Sequence, residues 1–306
     1  MRTIALVVGH ATLDVARGAL VPGGSAYYAA HALAALGAEV RVLTSAGSDL
    51  PRGSLEFRAA PGLPRQGLID ARIVPAPATT LFENVHGPEG RRKQRIGAAA
   101  PPISPDALPG EWRAADLLLL APVLGELEPG AFVRAVSART VGLCVQGLVR
   151  ETRPGGEVVP RRLAPVAADL AGIDAVFLGE DEVLGQPDLP ASLASLVPIV
   201  ARTRGEHGSE VRTRDGTLRI GVHPASEVDP TGAGDVYAAA FLFVLGRGGA
   251  PAEAARLAAA AASIVVEGVG GATLPRIGEA WARAKSVPVE ASSAISSGAG
   301  RGVRLE

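Results

Sequence analysis

Short apolar runs alternate with segments of helical period along most of this 306-residue chain. Residues 4–8, 40–43, 116–121, 141–145, 175–178 and 198–201 are runs of strand length that are apolar at nearly every position. A strand buried on one face alternates apolar with polar, so unbroken runs predict strands covered on both faces. Between them lie segments read as helices: an Ala/Leu-rich stretch from residue 25 that stops near Gly37, residues 129–139, a segment after 235, and residues 252–266. Strand–helix alternation of this kind predicts an α/β domain with a mostly parallel sheet between two helical layers. Residues 69–97 break the rhythm. Two strand-like pieces, 80–86 and 91–96, flank Gly87-Pro88-Glu89-Gly90 and predict a hairpin, a small β lid on the main domain. Past Val287 the period disappears into Ala, Ser and Gly, so residues 1–286 read as one domain and 287–306 as a flexible tail.

One stretch carries more chemistry than any other. Val228-Asp229-Pro230-Thr231-Gly232-Ala233-Gly234-Asp235 runs straight into an apolar helix with Val236, Ala239, Ala240, Phe243 and Val244 on one face. The first turn of a helix has unpartnered N–H groups and partial positive charge, and glycine lets an anion approach them. A carboxylate, Asp235, lies in the same turn. Donors that stabilise negative charge beside a proton acceptor suit phosphoryl transfer to a hydroxyl.

The string Asp-Pro-Thr-Gly-Ala-Gly-Asp resembles the C-terminal signature of the ribokinase/PfkB family of carbohydrate kinases. The resemblance extends over roughly residues 3–280 and implies a ribokinase-like three-layer sandwich. It implies Asp235 as catalytic base and the Gly232, Ala233 and Gly234 amides as anion hole. Asp14, shortly after the first strand, and Gly23-Gly24, ahead of the first long helix, match family positions that meet the acceptor. Gln146 and Arg150, just past a strand end, are read as further acceptor contacts. Thr203, Gly205 and Gly208 match the family's Thr-x-Gly-x-x-Gly nucleotide loop. Gly271 falls where relatives border the adenine and a monovalent-cation site, and Glu182 matches a Glu that organises Mg²⁺ through water. Pro230, Tyr28, Gly179 and Ala259 depart from the usual residues, Thr at the first and Asn at the other three. The fourteen or so residues between Gly9 and Gly23 are too few for the hairpin that many members insert there.

The implied activity is ATP-dependent phosphorylation of a hydroxyl on a sugar or cyclic polyol, with Mg²⁺ and a monovalent cation such as K⁺. Within the family the reduced lid, Gly-Gly-Ser-Ala-Tyr-Tyr and Gln146-Gly147-x-x-Arg150 look most like the inositol-kinase branch. A nucleoside or ribose kinase is the alternative enzyme, and a non-catalytic sugar-binding member the alternative of another class. Composition narrows the partners. A formal net charge of −1 and 4% aromatic residues argue against nucleic acid. No apolar run approaches a membrane span, and the single cysteine, Cys144, fits a reducing compartment, so a cytoplasmic monomer or homodimer is expected. The chain has no GxxxxGK[ST], no GxGxxG after the first strand, no zinc-type His spacing and no GxSxG.

Overall fold

The computed structural model describes residues 2–16, 18–58, 60–62, 67–86 and 92–293. The chain opens with β1 (Ile4–Val8), a hairpin of β2 (Thr12–Ala16) and β3 (Ala19–Gly23), α1 (Ser25–Ala35) and β4 (Glu39–Ala46). It continues through β5 (Leu68–Pro75), β6 (Thr80–His86), β7 (Arg92–Ala98), β8 (Ala114–Leu120), α2 (Pro129–Ala135) and β9 (Ser137–Cys144). Next come β10 (Arg150–Thr152), β11 (Val158–Pro160), β12 (Ala175–Gly179), α3 (Leu189–Ala194), β13 (Ile199–Thr203), β14 (Ser209–Thr213) and β15 (Gly216–Ile220). The last elements are α4 (Ala233–Leu245), α5 (Pro251–Val265), α6 (Ala280–Arg283) and β16 (Val289–Ser293).

Ten strands form one sheet in the order β16-β15-β14-β13-β12-β9-β8-β1-β4-β5. Pairing is parallel from β13 to β5 and antiparallel from β13 to β16. The unbroken apolar runs are explained by two cores, one on each face. Ala5, Val7, Leu117 and Leu119 point into the core beneath α1, α4 and α5. Their sequence neighbours Leu6, Val8, Leu118 and Leu120 point into the core beneath α2 and α3, as the two-residue pleat requires. This is the three-layer ribokinase-like sandwich. Helix α4 is the central element of its face: residues 236–244 are buried all round rather than along one stripe. Helix α1 ends where expected. Gly37 takes φ 98°, its N–H donates to Ala34 O, and the Ala38 N–H donates to Leu33 O, a Schellman stop.

Three boundaries differ from the sequence reading. The stretch between Gly9 and Gly23 does hold a hairpin, because Val15 to Leu20 closes a tight turn and two five-residue strands suffice. This hairpin joins β6 and β7 in a separate four-stranded lid of order β3-β2-β6-β7. Strand β5, by contrast, extends the main sheet beside β4, so the lid is built from β2, β3, β6 and β7 rather than from 69–97 alone. Finally, β16 pairs with β15 across Val289 to Ser293, so the proposed tail cannot begin at 287; residues 294–306 lie outside those described. The lid is fastened at its root. His10, 1% exposed, contacts Pro101 O through Nε2 and Thr80 Oγ1 through Nδ1. A carbonyl only accepts, so Nε2 carries the hydrogen and the Thr80 hydroxyl donates to Nδ1.

Candidate active site

The sheet changes its direction of winding between β1 and β8: the chain goes from β1 out to β4 and β5, then returns to β8 on the other side. Ligands of open α/β sheets bind beyond the carboxyl ends of strands at such a point. Here those ends are held open by a buried carboxylate. Glu126, 4% exposed, accepts from the amides of His10, Val123 and Leu124. The sequence reading did not single it out. Beyond the strand ends lies a cleft of about 870 Å³. Asp14, Gly24, Gln146, Arg150, Glu182, Thr203, Gly205, Gly208, Gly232, Ala233, Gly234 and Asp235 all line it. Residues drawn from six separate stretches of sequence therefore share one cavity.

The signature turn is braced from two sides. Gly232 caps α4 with φ 83° and ψ −4°, in the left-handed region, and a Cβ there would stand 2.3 Å from Tyr28 Cδ1. Tyr28 thus packs its ring against the turn, and burial pushes its hydroxyl pKa upward. On the other side Asp229 accepts from Thr231 N and Oγ1 and from Gly270 N. Among the described residues no acceptor bonds the amides of Gly232, Gly234 or Asp235. The Ala233 amide donates to Pro230 O at 3.2 Å, so of the three expected anion-hole amides this one is engaged within the turn. A Cβ at Gly234 would meet nothing within 4 Å, and the residue is exposed to the cleft.

Asp235 is half-buried at the start of α4. Burial pushes its carboxyl pKa up to about 6; the Ser25 hydroxyl and the Arg150 cation oppose that rise, while Glu182 and Asp14 add to it. Ser25 Oγ is itself enclosed and completes no hydrogen bond of good geometry with any described atom. It follows Gly24 directly and was missed in the sequence, where only its position at the mouth of α1 marked it. Cys144 also lines the cleft, and burial raises its thiol pKa.

Asp14 stands in β2, on the lid, rather than in a loop, and Thr12 Oγ1 donates to it at 3.0 Å. Gly23 does not line the cleft. It lies behind Asp14, and a Cβ on it would stand 2.3 Å from Asp14 Oδ2. Gly23→Ala is therefore expected to displace the carboxylate and raise the acceptor KM about tenfold or more, with a smaller change in kcat. That is the range for losing a hydrogen bond to a charged group, and steady-state kinetics on the best acceptor would read it. Glu182 folds back so that Oε2 accepts from the Gly179 amide and Oε1 from Gln146 Nε2 at 3.3 Å. A Cβ at 179 would stand 2.6 Å from Oε2, so any larger residue there would have to push the Glu182 carboxylate aside. Among the described residues no three His, Cys, Asp or Glu side chains cluster as a metal cage. Glu180, Asp181 and Glu182 together line one wall of the cleft, a donor set suited to a hydrated Mg²⁺ carried in on phosphates.

Thr203 ends β13 and the Gly205–Gly208 turn closes through Gly208 N to Gly205 O. Gly271 is elsewhere: it lines a separate cavity with Tyr27, His31 and Leu274, and a Cβ on it would stand 2.3 Å from the Tyr27 hydroxyl oxygen. The backbone leaving α5 turns away after Val266, so sequence adjacency to the cleft-lining helix did not carry Gly271 to the cleft. From the basic run of the lid, Gln94 reaches the cleft, whereas Arg95 pairs with Glu83 at 3.4 Å. Arg91 and the side chains of Arg92 and Lys93 lie outside the described residues. No helix among those described is long and apolar enough to cross a membrane.

Residues 166–277 match the family model of the pfkB family carbohydrate kinases. The chain is 26% identical to a cytidine kinase of Thermococcus kodakarensis over 269 residues, 82% of this chain and 92% of that protein. It is 30% identical to an inositol 3-kinase of Oryza sativa subsp. japonica over 259 residues, 77% of this chain and 61% of that protein. Arabidopsis thaliana ribokinase, solved with ribose and ATP, superposes with a TM-score of 0.69 at 22% identity, covering 93% of this chain and 99% of that one. Residues 166–277 thus carry a pfkB-family carbohydrate kinase match, and the chain as a whole shares the ribokinase-like fold.

Proposed function

We propose that this protein is an ATP-dependent kinase that phosphorylates a hydroxyl of a sugar or cyclic polyol, with an inositol as the favoured acceptor. The observation that carries the proposal is the meeting of the Gly232–Asp235 turn with Asp14 and Gly24 in a single cleft, although more than 200 residues separate them along the chain. Asp235 takes the proton from the attacking hydroxyl as its oxygen bonds to the γ-phosphorus and the bond to the ADP oxygen breaks. General-base help of this kind is worth roughly 10²–10⁴ in rate. The amides of Gly232 and Gly234 face the charge that develops on the phosphoryl oxygens, each such donor contributing about 10²–10³. Mg²⁺, when bound with the nucleotide, neutralises phosphate charge, and Glu182 is the residue to orient its water shell. Val222, Ala259, Ala262 and Val266 line the donor end of the cleft and offer apolar surface to a base, next to Thr203, Gly205 and Gly208.

The acceptor end favours a hydroxyl-rich ring over a nucleoside. Asp14, Gln94 and Gln146 supply carboxylate and amide groups that match ring hydroxyls. Phe82 and Tyr28 line the same end but are 5% and 1% exposed, so neither offers a free face on which a base could stack. The similarity to a cytidine kinase favours a second reading, a nucleoside kinase. Coupled ADP release over inositols, ribose, hexoses and nucleosides separates them: turnover strongest with a polyol supports the first reading, and turnover confined to nucleosides replaces it with the second. Acceptor binding by calorimetry without any turnover leaves a non-catalytic binding protein. The carboxyl pKa of about 6 sets the pH dependence. Only ionised Asp235 accepts a proton, so kcat/KM is expected to fall tenfold per pH unit below about 6 and to level off above 7.

A further inference from the structure

Strand β5 closes one end of the ten-stranded sheet and pairs there only with β4. Its sequence, Leu-Ile-Asp-Ala-Arg-Ile-Val-Pro, stays largely apolar although its outer side has no neighbouring strand. Leu68 is 64% exposed and Ile73 41%. Ile69 and Ala71 rest on the core beneath α1, and Val74 rests on the opposite core. Asp70 and Arg72 are exposed, and neither enters an ion pair among the described residues. Arg41, which stands opposite Asp70 on β4, is turned to Glu111 O and Ala114 O. A free edge of this kind is a template for a further strand.

Backbone alternation fixes which groups that edge offers. The Ala76 amide donates to Ala46 O at 3.0 Å, so the even-numbered residues of β5 face β4. The N–H and C=O groups of Ile69, Ala71 and Ile73 therefore point off the sheet. A two-fold axis can set this edge against itself only in antiparallel registers that bring outward residues opposite outward residues. An axis through Asp70 would oppose two carboxylates, and one through Arg72 two guanidinium groups, both unfavourable. An axis nearer either end would pair fewer residues. An axis through Ala71 matches every position: Leu68 faces Val74 of the second copy, Ile69 faces Ile73, and Asp70 faces Arg72. Ile69, Ala71 and Ile73 then exchange both main-chain hydrogen bonds with their opposites. Pro75, the one outward position without an N–H, falls beyond the paired segment. Charges on an edge strand usually keep copies apart. Here they are opposite in sign and two residues apart, so the symmetry turns them into partners.

We propose that β5 is a contact surface for a second copy of this chain, the two sheets joining edge to edge about an axis at Ala71. Main-chain pairing with a few flanking side chains places the contact in the small, reversible class. The pairing does not depend on what the cleft binds.

Sedimentation velocity on the full-length protein tests it. Wild type should pass from monomer to dimer over roughly 1–100 µM, the affinity of a small interface. Asp70→Arg and Arg72→Asp each place like charges opposite in both cross-strand pairs, so each should weaken self-association at least about tenfold. An equimolar mixture of the two variants should dimerise again. One copy then carries only positive and the other only negative side chains at these positions, and every opposed pair attracts. Wild type that stays monomeric throughout would overturn the assignment. So would single variants that associate like wild type, which would place the contact on another surface, or folded variants whose mixture stays monomeric. Thermal melts show whether the variants fold. If a charge variant does not, Ala71→Pro decides, because it removes an outward N–H and leaves the residues facing β4 their bonds. Loss of the dimer in a folded Ala71→Pro supports the surface, and an undiminished dimer overturns it.

Discussion

Asp235→Asn is expected to lower kcat by about 10³-fold or more while leaving acceptor affinity within a few-fold of wild type. The amide keeps the shape of the carboxylate and its place at the start of α4, but it has no lone pair basic enough to take the hydroxyl proton. The 10²–10⁴ range for a positioned base sets the magnitude. Stability should move the other way. The folded carboxyl has its pKa raised from 3.8 to about 6, with burial the largest cause, so keeping it ionised costs the native state free energy. Stability from this group is fully present below the unfolded value near 4 and is lost as pH rises through about 6. Asp235→Asn removes that cost, so at pH 8 the variant should melt at or above the wild-type temperature, with the difference shrinking as pH falls below 6. A dead enzyme of undiminished Tm and intact acceptor binding would locate the defect in proton transfer. A variant as active as wild type would remove Asp235 from the mechanism.

The second large effect is expected at Gly232. Gly232→Ala introduces two faults at once. An L-residue at φ 83° carries a left-handed penalty of about 1–2 kcal/mol. The new methyl would also stand 2.3 Å from Tyr28 Cδ1 and 2.5 Å from Cγ and Cε1. Tyr28 is 1% exposed in the main helical core, so its ring has nowhere to go and the turn must shift instead. Overpacking of a tight core costs about 1–3 kcal/mol, for a total of roughly 2–5 kcal/mol, measurable as a fall in Tm. Because the amides of the turn move with it, kcat should drop by at least about 10², the value of one misplaced donor. Tyr28→Ala combined with Gly232→Ala should recover part of the lost stability through space. If the double variant is no more stable than the sum of the singles, Tyr28 does not brace the turn.

A third consequence concerns why the usual Asn residues are missing. At 28 the ring of Tyr replaces an amide and supports the turn from behind. At 179 the absent side chain makes room for Glu182 to meet the backbone amide. Both departures looked like losses in the sequence. In the folded chain the Tyr28 ring itself fills the first place and Glu182 the second. Neither change touches Asp235, and the acceptor and donor ends of the cleft remain distinct in character, polar near Asp14 and apolar near Ala259 and Val266.

The amino-acid sequence by itself determined the layered α/β architecture, since unbroken apolar runs at strand length can be buried only between two covering layers. It also determined the stop of α1 at Gly37 and the glycine turn that opens α4, because both depend on local backbone freedom and on residues adjacent in the chain. Tertiary structure alone decided what lies opposite what. The hairpin of residues 12–23 gains its stability from pairing with β6, a partner more than sixty residues away that no local pattern announces. Strand β16 exists because β15 presents an open edge, and Gly271 leaves the cleft because Val266 ends the helix just before it. Ser25, Phe82 and Gln94 enter the site through the docking of α1 and the lid, so their meaning was invisible along the chain. Short-range rules select a residue's conformation; which distant side chain it meets follows from how the layers pack.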